Sequence, residues 1–486
     1  MRGKKVQIVK IENWDGAYNL QYGTTTNDAV QHAQNGGALV GWNPATTTAC
    51  PASAWNVEYI GNSYELSQLT DEHITALSAL QAAYNTKAYL ANIEEGTGLG
   101  QYSNVDAAAI SNALTGATTI LNGSLATQAT TSVADITAAT EAVNALAPTL
   151  NMPTEGKYYR IKGAGEDALP GYYITGNENP DGGRIVCAAD ADASTIFYYN
   201  DGKLLAYEKG HYIALNASNW KFGDESVAST ITFAESPRVA GAYTILSTDR
   251  YLHYTSTDYF TELGTTVQID RCSEDIHTNH DWYLEEVTEL PVAITAAGYA
   301  TFYAPVDVTY DGIDGIEAYY TKGEVKEEKY LQLVDFEGTI PAKDGAILKG
   351  NEGTYYLTIS SGAEKKAENK LTGTIATTII SKVDANSYYV LGLNNNTVGL
   401  YNPINGANED EFTNTGHKAY MLIEGAAQTI GYSLGFDWGG TTGIENIEDA
   451  VEENATKAIY DITGRQIKAI TVPGIYIING KKTFVK

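Results

Sequence analysis

The chain has 486 residues, enough for about three or four folded units of ordinary size. It carries 31 lysine and arginine residues against 59 aspartate and glutamate residues, a net charge of -28. Such a charge repels phosphate backbones and anionic lipid surfaces, which excludes nucleic acid and membrane surfaces as favoured partners. Hydrophobic residues make up 43% of the chain, enough for folded cores, and no apolar run is long enough to predict a transmembrane segment.

Residues 1–65 are predicted to be β structure that recurs later in the chain. The segment Tyr18-Asn-Leu20-Gln-Tyr22 is similar to Tyr251-Leu-His-Tyr254, and Ser53-Ala-Trp55-Asn-Val57 is similar to His280-Asp-Trp282-Tyr-Leu284. We therefore expect the last third of a second copy of the later module, with the rest of that copy upstream of Met1. A small self-sufficient β cap is the alternative, but a lone hairpin is only marginally stable.

Residues 66–150 change to a helical period. Apolar residues recur every three or four positions in three stretches, at 74–88, 110–121 and 136–146, which predicts three amphipathic helices. Ser103-Asn-Val-Asp106 and Ser132-Val-Ala-Asp135 are typical of capping boxes at helix starts. The pattern resembles the three-helix spacer modules of bacterial surface enzymes and adhesins.

Residues 151–290 contain a threefold repeat of short strands. Each copy opens with a glycine before an apolar alternation, at Gly156, Gly202 and Gly241, a spacing of about 40 residues. Each copy then has an aromatic-aliphatic pair: Tyr173-Ile174, Tyr212-Ile213 and Tyr251-Leu252. Three such copies can close a β structure without exposed edges.

This repeat resembles a ricin-type β-trefoil, with the family's Gln-x-Trp strand retained only as His280-Asp-Trp282. Trefoil lectins of that family stack an aromatic ring on the apolar face of a pyranose, so the resemblance implies carbohydrate binding. The candidate ligand-binding residues are Trp220, Tyr254, Tyr173 and Trp282. Trp220 and Tyr254 fit the repeat less well and are the better candidates, because threefold packing alone would place Tyr173 and Trp282.

Residues 291–440 return to period two, with turn residues between many short apolar runs, and are predicted to form an antiparallel β-sandwich. The phrases Ala297-Gly-Tyr-Ala-Thr-Phe-Tyr303, Gly345-Ala-Ile-Leu-Lys-Gly350 and His417-Lys-Ala-Tyr-Met421 resemble a module found near the C-termini of surface proteins in Gram-negative anaerobes. That module does not itself indicate a function.

Residues 441–486 are predicted to be an acidic linker followed by a small basic β domain. The final 30 residues hold six basic residues and one acid, and Asn479-Gly480 predicts a tight hairpin turn. The phrases Ile459-Tyr-Asp-Ile-Thr-Gly-Arg465 and Gly474-Ile-Tyr-Ile-Ile478 resemble the C-terminal sorting domain of type IX secretion. That resemblance implies recognition by an outer-membrane translocon; an ordinary hairpin docked on the preceding sandwich is the alternative.

No catalytic, cofactor or metal motif is recognisable. The chain lacks a Gly-x-Ser-x-Gly elbow, a His-Glu-x-x-His pair and a phosphate-binding Gly-x-x-x-x-Gly-Lys loop. The cluster His277-Thr-Asn-His280-Asp281 could hold a metal, but structural histidines next to a tryptophan are more common. With 59 acids, a pair of glycosidase carboxylates is not excluded.

The sequence therefore predicts a mainly β multidomain protein: trefoil-like modules, a helical spacer, a β-sandwich and a small C-terminal β domain. The function that it favours is non-catalytic binding of a glycan or polysaccharide at the extracellular or outer-membrane surface, with no nucleic-acid partner and no cofactor. Two alternatives stay open. One is that the chain is the accessory C-terminal part of a larger secreted glycoside hydrolase or peptidase, and the other is that it is a structural stalk or adhesin.

Overall fold

The structure is a computed structural model, and the described residues form a mainly β multidomain protein. No described helix is both long and apolar enough to cross a membrane. The description covers residues 6–10, 17–22, 29–33, 39–42, 55–56, 69–164, 171–178, 185–215, 220–248, 250–254, 269–272, 280–326, 330–383, 385–403, 410–425, 431–436, 459–461, 466–467, 474–478 and 481–485.

The first described strands form one antiparallel sheet in the order β1-β2-β3-β4, with β5 paired to β2. Their bounds are β1 (Val6–Lys10), β2 (Ala17–Tyr22), β3 (Ala29–Ala33), β4 (Leu39–Trp42) and β5 (Trp55–Asn56). The register places Tyr18 opposite Trp55.

Four α-helices follow among the described residues, where the sequence predicted three. They are α1 (Asp71–Lys87), α2 (Ala107–Leu121), α3 (Leu125–Thr130) and α4 (Val133–Asn144), with a 3₁₀ turn at Ala88–Asn92 after α1. The extra helix, α3, is a six-residue turn capped by Ser124, too short to produce an apolar stripe.

The N-caps follow the expected chemistry with one correction. Thr70, Ser124 and Ser132 each accept a backbone hydrogen bond from the first turn of their helices. At α2 the cap is Asp106, which accepts the N–H of Ala109, so the predicted box beginning at Ser103 is wrong. Ser103 instead lies in a short strand, β6 (Tyr102–Ser103), paired with β7 (Thr149–Leu150).

The helical unit and the strands after it share one continuous hydrophobic core. Tyrosine hydroxyls also join them: Tyr89 donates to Glu235 at 2.6 Å, and Tyr243 donates to the carbonyl of Asn151 at 2.6 Å. Burial and the Glu235 carboxylate raise the pKa of Tyr89 well above its usual value, so this hydroxyl stays a donor. The helices are therefore fixed against the next module.

Residues 157–286 contain twelve strands in one sheet. The bounds are β8 (Lys157–Gly163), β9 (Tyr173–Glu178), β10 (Ile185–Ala188), β11 (Phe197–Asn200), β12 (Lys203–Ala206), β13 (Tyr212–Leu215), β14 (Trp220–Gly223), β15 (Thr232–Glu235), β16 (Tyr243–Ser247), β17 (Arg250–Tyr254), β18 (Ile269–Cys272) and β19 (Asp281–Glu286).

The pairings of these strands are threefold. The first strand of each copy pairs with the second, as β8–β9, β12–β13 and β16–β17, and each second strand pairs with the third. Six strands close a ring through the pairs β8–β11, β11–β12, β15–β16, β16–β19 and β19–β8. The remaining gap is bridged by the Ile231 N–H donating to Gly202 O at 2.7 Å. This arrangement is a β-trefoil: a six-stranded barrel with three hairpins.

The repeat motifs explain this geometry. Gly156, Gly202 and Gly241 all have positive φ (80°, 63° and 72°), which lets each copy enter its first strand through a tight turn. The aliphatic member of each predicted pair is fully buried, at Ile174, Ile213 and Leu252. The three copies therefore supply equivalent residues to one core.

The N-terminal sheet has the pairing pattern of the last trefoil copy. Strand β2 pairs with β1, β3 and β5 as β16 pairs with β15, β17 and β19. In the trefoil the residue opposite Trp282 is Tyr243, and in the N-terminal sheet the residue opposite Trp55 is Tyr18. Tyr18 therefore corresponds to Tyr243, and its predicted match to Tyr251 is wrong by one strand.

The next region, here called the β domain, holds strands β20 to β35. They are β20 (Glu289–Ile294), β21 (Tyr299–Phe302), β22 (Asp307–Thr309), β23 (Ile316–Tyr320), β24 (Val325–Lys326), β25 (Tyr330–Asp335), β26 (Thr339–Ile340), β27 (Ala346–Gly350), β28 (Gly353–Ser360), β29 (Leu371–Thr374), β30 (Thr378–Ser381), β31 (Ser387–Asn394), β32 (Thr397–Tyr401), β33 (Glu411–Asn414), β34 (Lys418–Ile423) and β35 (Gly431–Phe436).

These strands form a four-stranded sheet, β20-β28-β22-β26, a ten-stranded sheet and the separate pair β30–β33. The ten-stranded sheet runs β21-β27-β23-β25-β35-β32-β31-β34-β29, with β24 beside β25. One pairing departs from the predicted antiparallel pattern: β25 and β35 are parallel, with Leu331 opposite Leu434.

The trefoil and the β domain meet through a second shared core. At its centre the ring of His417 lies 4.4 Å from that of Tyr207 and 5.9 Å from that of Tyr158. Burial lowers the pKa of His417 to about 4, so the imidazole is neutral at pH 7. Tyr207 also donates to Pro291 O at 2.9 Å, which fixes the start of β20 on the trefoil.

The C-terminal strands form a sheet of their own, in the order β37-β36-β38-β39. Their bounds are β36 (Ile459–Asp461), β37 (Gln466–Ile467), β38 (Gly474–Ile478) and β39 (Lys481–Val485). The described ladders of these strands are antiparallel and join them only to each other.

Candidate functional site

The two tryptophans predicted to contact a ligand lie in the trefoil core. Trp220 and Trp282 are both fully buried. Their indole N–H groups donate to carbonyls of β17, Trp220 to Tyr251 O at 3.2 Å and Trp282 to Leu252 O at 3.0 Å. A sugar cannot stack on a ring without exposed surface, so the predicted ligand role of both residues is wrong. They hold the third hairpin against the barrel instead.

Tyr173 is also covered, with 9% of its surface exposed. Its hydroxyl donates to both carboxylate oxygens of Glu285, at 3.2 and 3.3 Å, and the Lys162 ammonium lies 5.1 Å from its ring centroid. Contact with Tyr173 and Glu285 raises the pKa of Lys162. The Lys162 ammonium thus lies over the face of the Tyr173 ring. The prediction that a sugar stacks on Tyr173 is therefore wrong as well. Tyr254 ends β17, and its side chain lies outside the described residues.

An open cleft of about 550 Å³ lies beside the second hairpin of the trefoil. It is formed by the ends of β9 and β14, by the turn between β12 and β13, and by a loop of the β domain. Its lining residues are Gly176, Asn177, Glu178, Lys209, His211, Phe222, Gly223, Asp224 and Thr377. We call it the hairpin cleft.

Hydrogen bonds fix the acidic wall of the hairpin cleft. The Phe222 N–H donates to Glu178 Oε1 at 2.6 Å, which ties β14 to β9. Asp224 Oδ1 accepts both the hydroxyl of Ser226, at 2.5 Å, and its N–H, at 2.9 Å. These bonds lower the pKa of Asp224, so it is ionised at neutral pH. The carboxylates of Glu178 and Asp224 are therefore held in place, and both residues are exposed at the ends of their strands.

The floor of the cleft is built from the contact between the two domains. The Thr377 hydroxyl donates to Lys209 O at 2.7 Å, and the Thr377 N–H donates to Gly210 O at 2.8 Å. Gly210 has φ of 64°, and a Cβ there would lie 2.6 Å from Thr377 N. Only glycine allows the two backbones to come this close, so the floor of the cleft depends on a glycine at position 210.

The residues of the hairpin cleft suit a neutral polyhydroxylated ligand. Phe222 is half-buried and offers part of an aromatic face, while Asn177, Glu178, His211 and Asp224 supply hydrogen-bond acceptors and donors around it. A flat apolar surface ringed by acceptors can bind the C–H face and hydroxyls of one sugar together.

Sequence reasoning missed this cleft because it followed the largest aromatic residues. Phe222 is two positions after Trp220 and lies on the same side of the strand. Trp220 is covered by the barrel, whereas Phe222 lies next to the strand end and is partly open. The available signal was the phrase Trp220-Lys-Phe-Gly-Asp224, in which a turn acid directly follows an aromatic strand.

No protein-family model matches the chain, and no curated protein matches it. Among solved structures, it is similar to a protein described as BEL beta-trefoil, at 17% identity over 28% of this chain and 97% of that chain, with a TM-score of 0.23. The C-half of an earthworm R-type lectin in complex with GalNAc matches at 16% identity over 27% of this chain and 99% of that chain, with a TM-score of 0.21. A mutant C-terminal domain of an earthworm lectin in complex with 6'-sialyllactose has 16% identity, the same coverages and a TM-score of 0.20. The trefoil assignment rests on the strand pairings of the chain itself.

Proposed function

We propose that this chain is a non-catalytic protein that binds carbohydrate through the hairpin cleft of its trefoil. The observation that supports it is that one cleft is lined by the half-buried Phe222 and by the fixed carboxylates of Glu178 and Asp224. Carboxylates held by backbone and hydroxyl donors keep free lone pairs for sugar hydroxyls, and hydrogen bonds to charged groups are stronger than neutral ones. The low net affinity typical of one open cleft suits a ligand presented in many copies, such as a polysaccharide.

The test starts from a glycan array probed with the full chain, followed by calorimetry on the tightest-binding oligosaccharide. We expect Phe222→Ala to weaken binding about tenfold or more, which corresponds to about 1.4 kcal/mol of lost contact energy. Asp224→Asn should weaken it by a similar factor, since a neutral amide accepts more weakly than a carboxylate.

The matched control is Tyr283→Ala. Tyr283 is another partly exposed aromatic residue of the trefoil, 38% exposed, and it lines a different depression next to the helices. Its variant should bind the oligosaccharide as the unmodified chain does. An array without any bound glycan, or equal affinities for the Phe222 and Tyr283 variants, would refute the proposed site.

We also propose that the protein is exported to the cell surface by a type IX route, with the C-terminal sheet as its sorting signal. Its support is the separate sheet β36–β39, together with the basic charge of the final 30 residues after an acidic segment. In a bacterium with this secretion system, removal of residues 457–486 should leave the protein in the periplasm. Unchanged delivery of the shortened chain to the surface would contradict the proposal.

A further inference from the structure

The contact between the trefoil and the β domain has two backbone segments at its centre. The trefoil contributes Tyr158 of β8 and residues 207–210 after β12, and the β domain contributes Thr377 and residues 416–417 before β34. The Gly416 N–H donates to the Thr377 hydroxyl at 3.0 Å, and a Cβ at Gly416 would lie 2.6 Å from Gly210 Cα. We call these residues the domain joint.

The ring of His417 is enclosed in the domain joint, and the residue is 4% exposed. Its Nδ1 lies 3.0 Å from Tyr303 O, and since a carbonyl only accepts, Nδ1 carries the proton of the neutral ring. Nε2 is then an acceptor, and it is buried without a hydrogen bond to any described residue. The backbone fixes this position, because the His417 N–H donates to Thr374 O at 2.8 Å and its carbonyl accepts from the Tyr303 N–H at 3.0 Å.

Neutral tyrosines face the His417 ring from the trefoil side. They are Tyr207 and Tyr158, whose ring contacts with it are described above, and burial raises the pKa of both. The Tyr158 hydroxyl is itself buried and makes no hydrogen bond with any described residue. The domain joint therefore buries one donor and one acceptor without partners, which makes it weaker than a contact with all polar groups satisfied.

On the β-domain side, the charged groups do not favour a positive charge on the His417 ring. Burial lowers the pKa of His417 most, and the positive charge of the adjacent Lys418 lowers it further. Asp344 acts on Tyr303 instead: burial and this carboxylate raise the pKa of the Tyr303 hydroxyl, and Asp344 also accepts the Lys366 N–H at 2.7 Å. Within the described part of the chain, no carboxylate makes a hydrogen bond or ion pair with the His417 ring.

We propose that the domain joint is a pH-sensitive contact, which loosens when acid protonates Nε2 of His417. The added proton creates a buried positive charge and a buried N–H without an acceptor, and both are costly in an apolar interior. Local separation of the two domains hydrates the ring and removes this cost. The inference does not depend on the proposed carbohydrate site.

The direction of the pH effect follows from linkage. In the closed joint the pKa of His417 is lowered to about 4, whereas a hydrated imidazole has its ordinary pKa of about 6.5. A group with a lower pKa in the closed state stabilises that state fully above its ordinary pKa. For His417 this stabilisation is lost as the pH falls from about 6.5 to about 4.

The first experiment is hydrogen exchange of the full chain at pH 7 and pH 5, corrected for the intrinsic effect of pH on amide exchange. The Thr377 N–H donates to Gly210 O at 2.8 Å across the joint, and the Ile231 N–H donates to Gly202 O at 2.7 Å within the trefoil. We expect protection at Thr377 to fall about twentyfold at pH 5, as linkage gives for these two pKa values. Protection at Ile231 should stay the same.

Two variants test the role of His417 in this change. His417→Asn tolerates the φ of 58° and does not titrate, and His417→Phe keeps an aromatic ring in the joint. We expect both to lose the pH dependence at Thr377. His73→Gln is the control, because His73 lies in the first turn of α1, away from the joint, and this variant should keep the full change. No change at Thr377 in the unmodified chain, or the full change in the His417 variants, would overturn the proposal.

Tyr158→Phe removes only the buried hydroxyl from the domain joint. We expect exchange at Thr377 to slow about fivefold at both pH values, because the joint no longer buries a donor without a partner. The pH dependence should remain, since His417 is unchanged. Faster exchange in this variant would show that the hydroxyl has a polar partner in the joint. That result would contradict the proposal, which requires that the joint offers a protonated His417 no such partner.

Discussion

Replacing Trp282 by alanine is expected to lower the free energy of unfolding by about 4 kcal/mol, the usual cost of emptying a large aromatic site in a core. Trp282 is fully buried in β19, the strand that joins the third trefoil copy to the first. Its loss removes the packing of that joint and leaves the carbonyl of Leu252 without its indole donor. Urea unfolding followed by tryptophan fluorescence and circular dichroism measures the change.

Trp282→Phe is the matched control for volume. It keeps most of the ring packing and loses the hydrogen bond of 3.0 Å, so we expect a cost of about 1–2 kcal/mol. Where the phenylalanine variant stays folded, it should bind carbohydrate as the unmodified chain does. A Trp282→Ala variant that keeps its stability but loses carbohydrate binding would contradict this prediction. It would mean that Trp282 contacts the ligand.

The second large effect is expected from Gly210→Ala, at the contact between the trefoil and the β domain. A Cβ at Gly210 would lie 2.6 Å from Thr377 N and 2.8 Å from Gly416 Cα, and φ is 64°. Both neighbours are backbone, so they cannot move aside cheaply. Left-handed strain of about 1 kcal/mol and overpacking of about 1–3 kcal/mol should add to a loss of about 2–4 kcal/mol.

Gly156→Ala separates the two contributions. Gly156 has the same left-handed backbone, with φ of 80°, but no atom lies within 4 Å of the Cβ position. We expect only the strain of about 1 kcal/mol there. Hydrogen exchange at the Thr377 amide, which donates to Gly210 O at 2.8 Å, should accelerate in the Gly210 variant alone. Equal effects of both substitutions on stability and exchange would mean that the domains do not meet at Gly210.

The parts of the fold that could be predicted are those determined by short sequence motifs or by motifs that repeat along the chain. Each trefoil copy contains a glycine with positive φ and a buried aliphatic residue. Because this motif occurs three times, the repeat could be recognised in the sequence. The helix starts at Thr70 and Ser132 were equally local. Strand direction is not local: β25 and β35 are about a hundred residues apart, and alternation is the same in parallel and antiparallel pairs.

The candidate site was harder to predict because burial and convergence are properties of the whole fold. Trp220 and Phe222 occupy the same side of one strand, and only the packing of the barrel decides which ring is covered. The floor of the hairpin cleft joins Lys209 to Thr377, which are 168 residues apart.

The most direct measurement is a crystal structure of the full chain soaked with the oligosaccharide that binds it most tightly. We expect one sugar ring in the hairpin cleft, in contact with the Phe222 ring and with hydroxyls within hydrogen-bond distance of Asp224 and Glu178. A sugar bound at another face of the trefoil or in the β domain, with the hairpin cleft empty at saturating concentration, would contradict it.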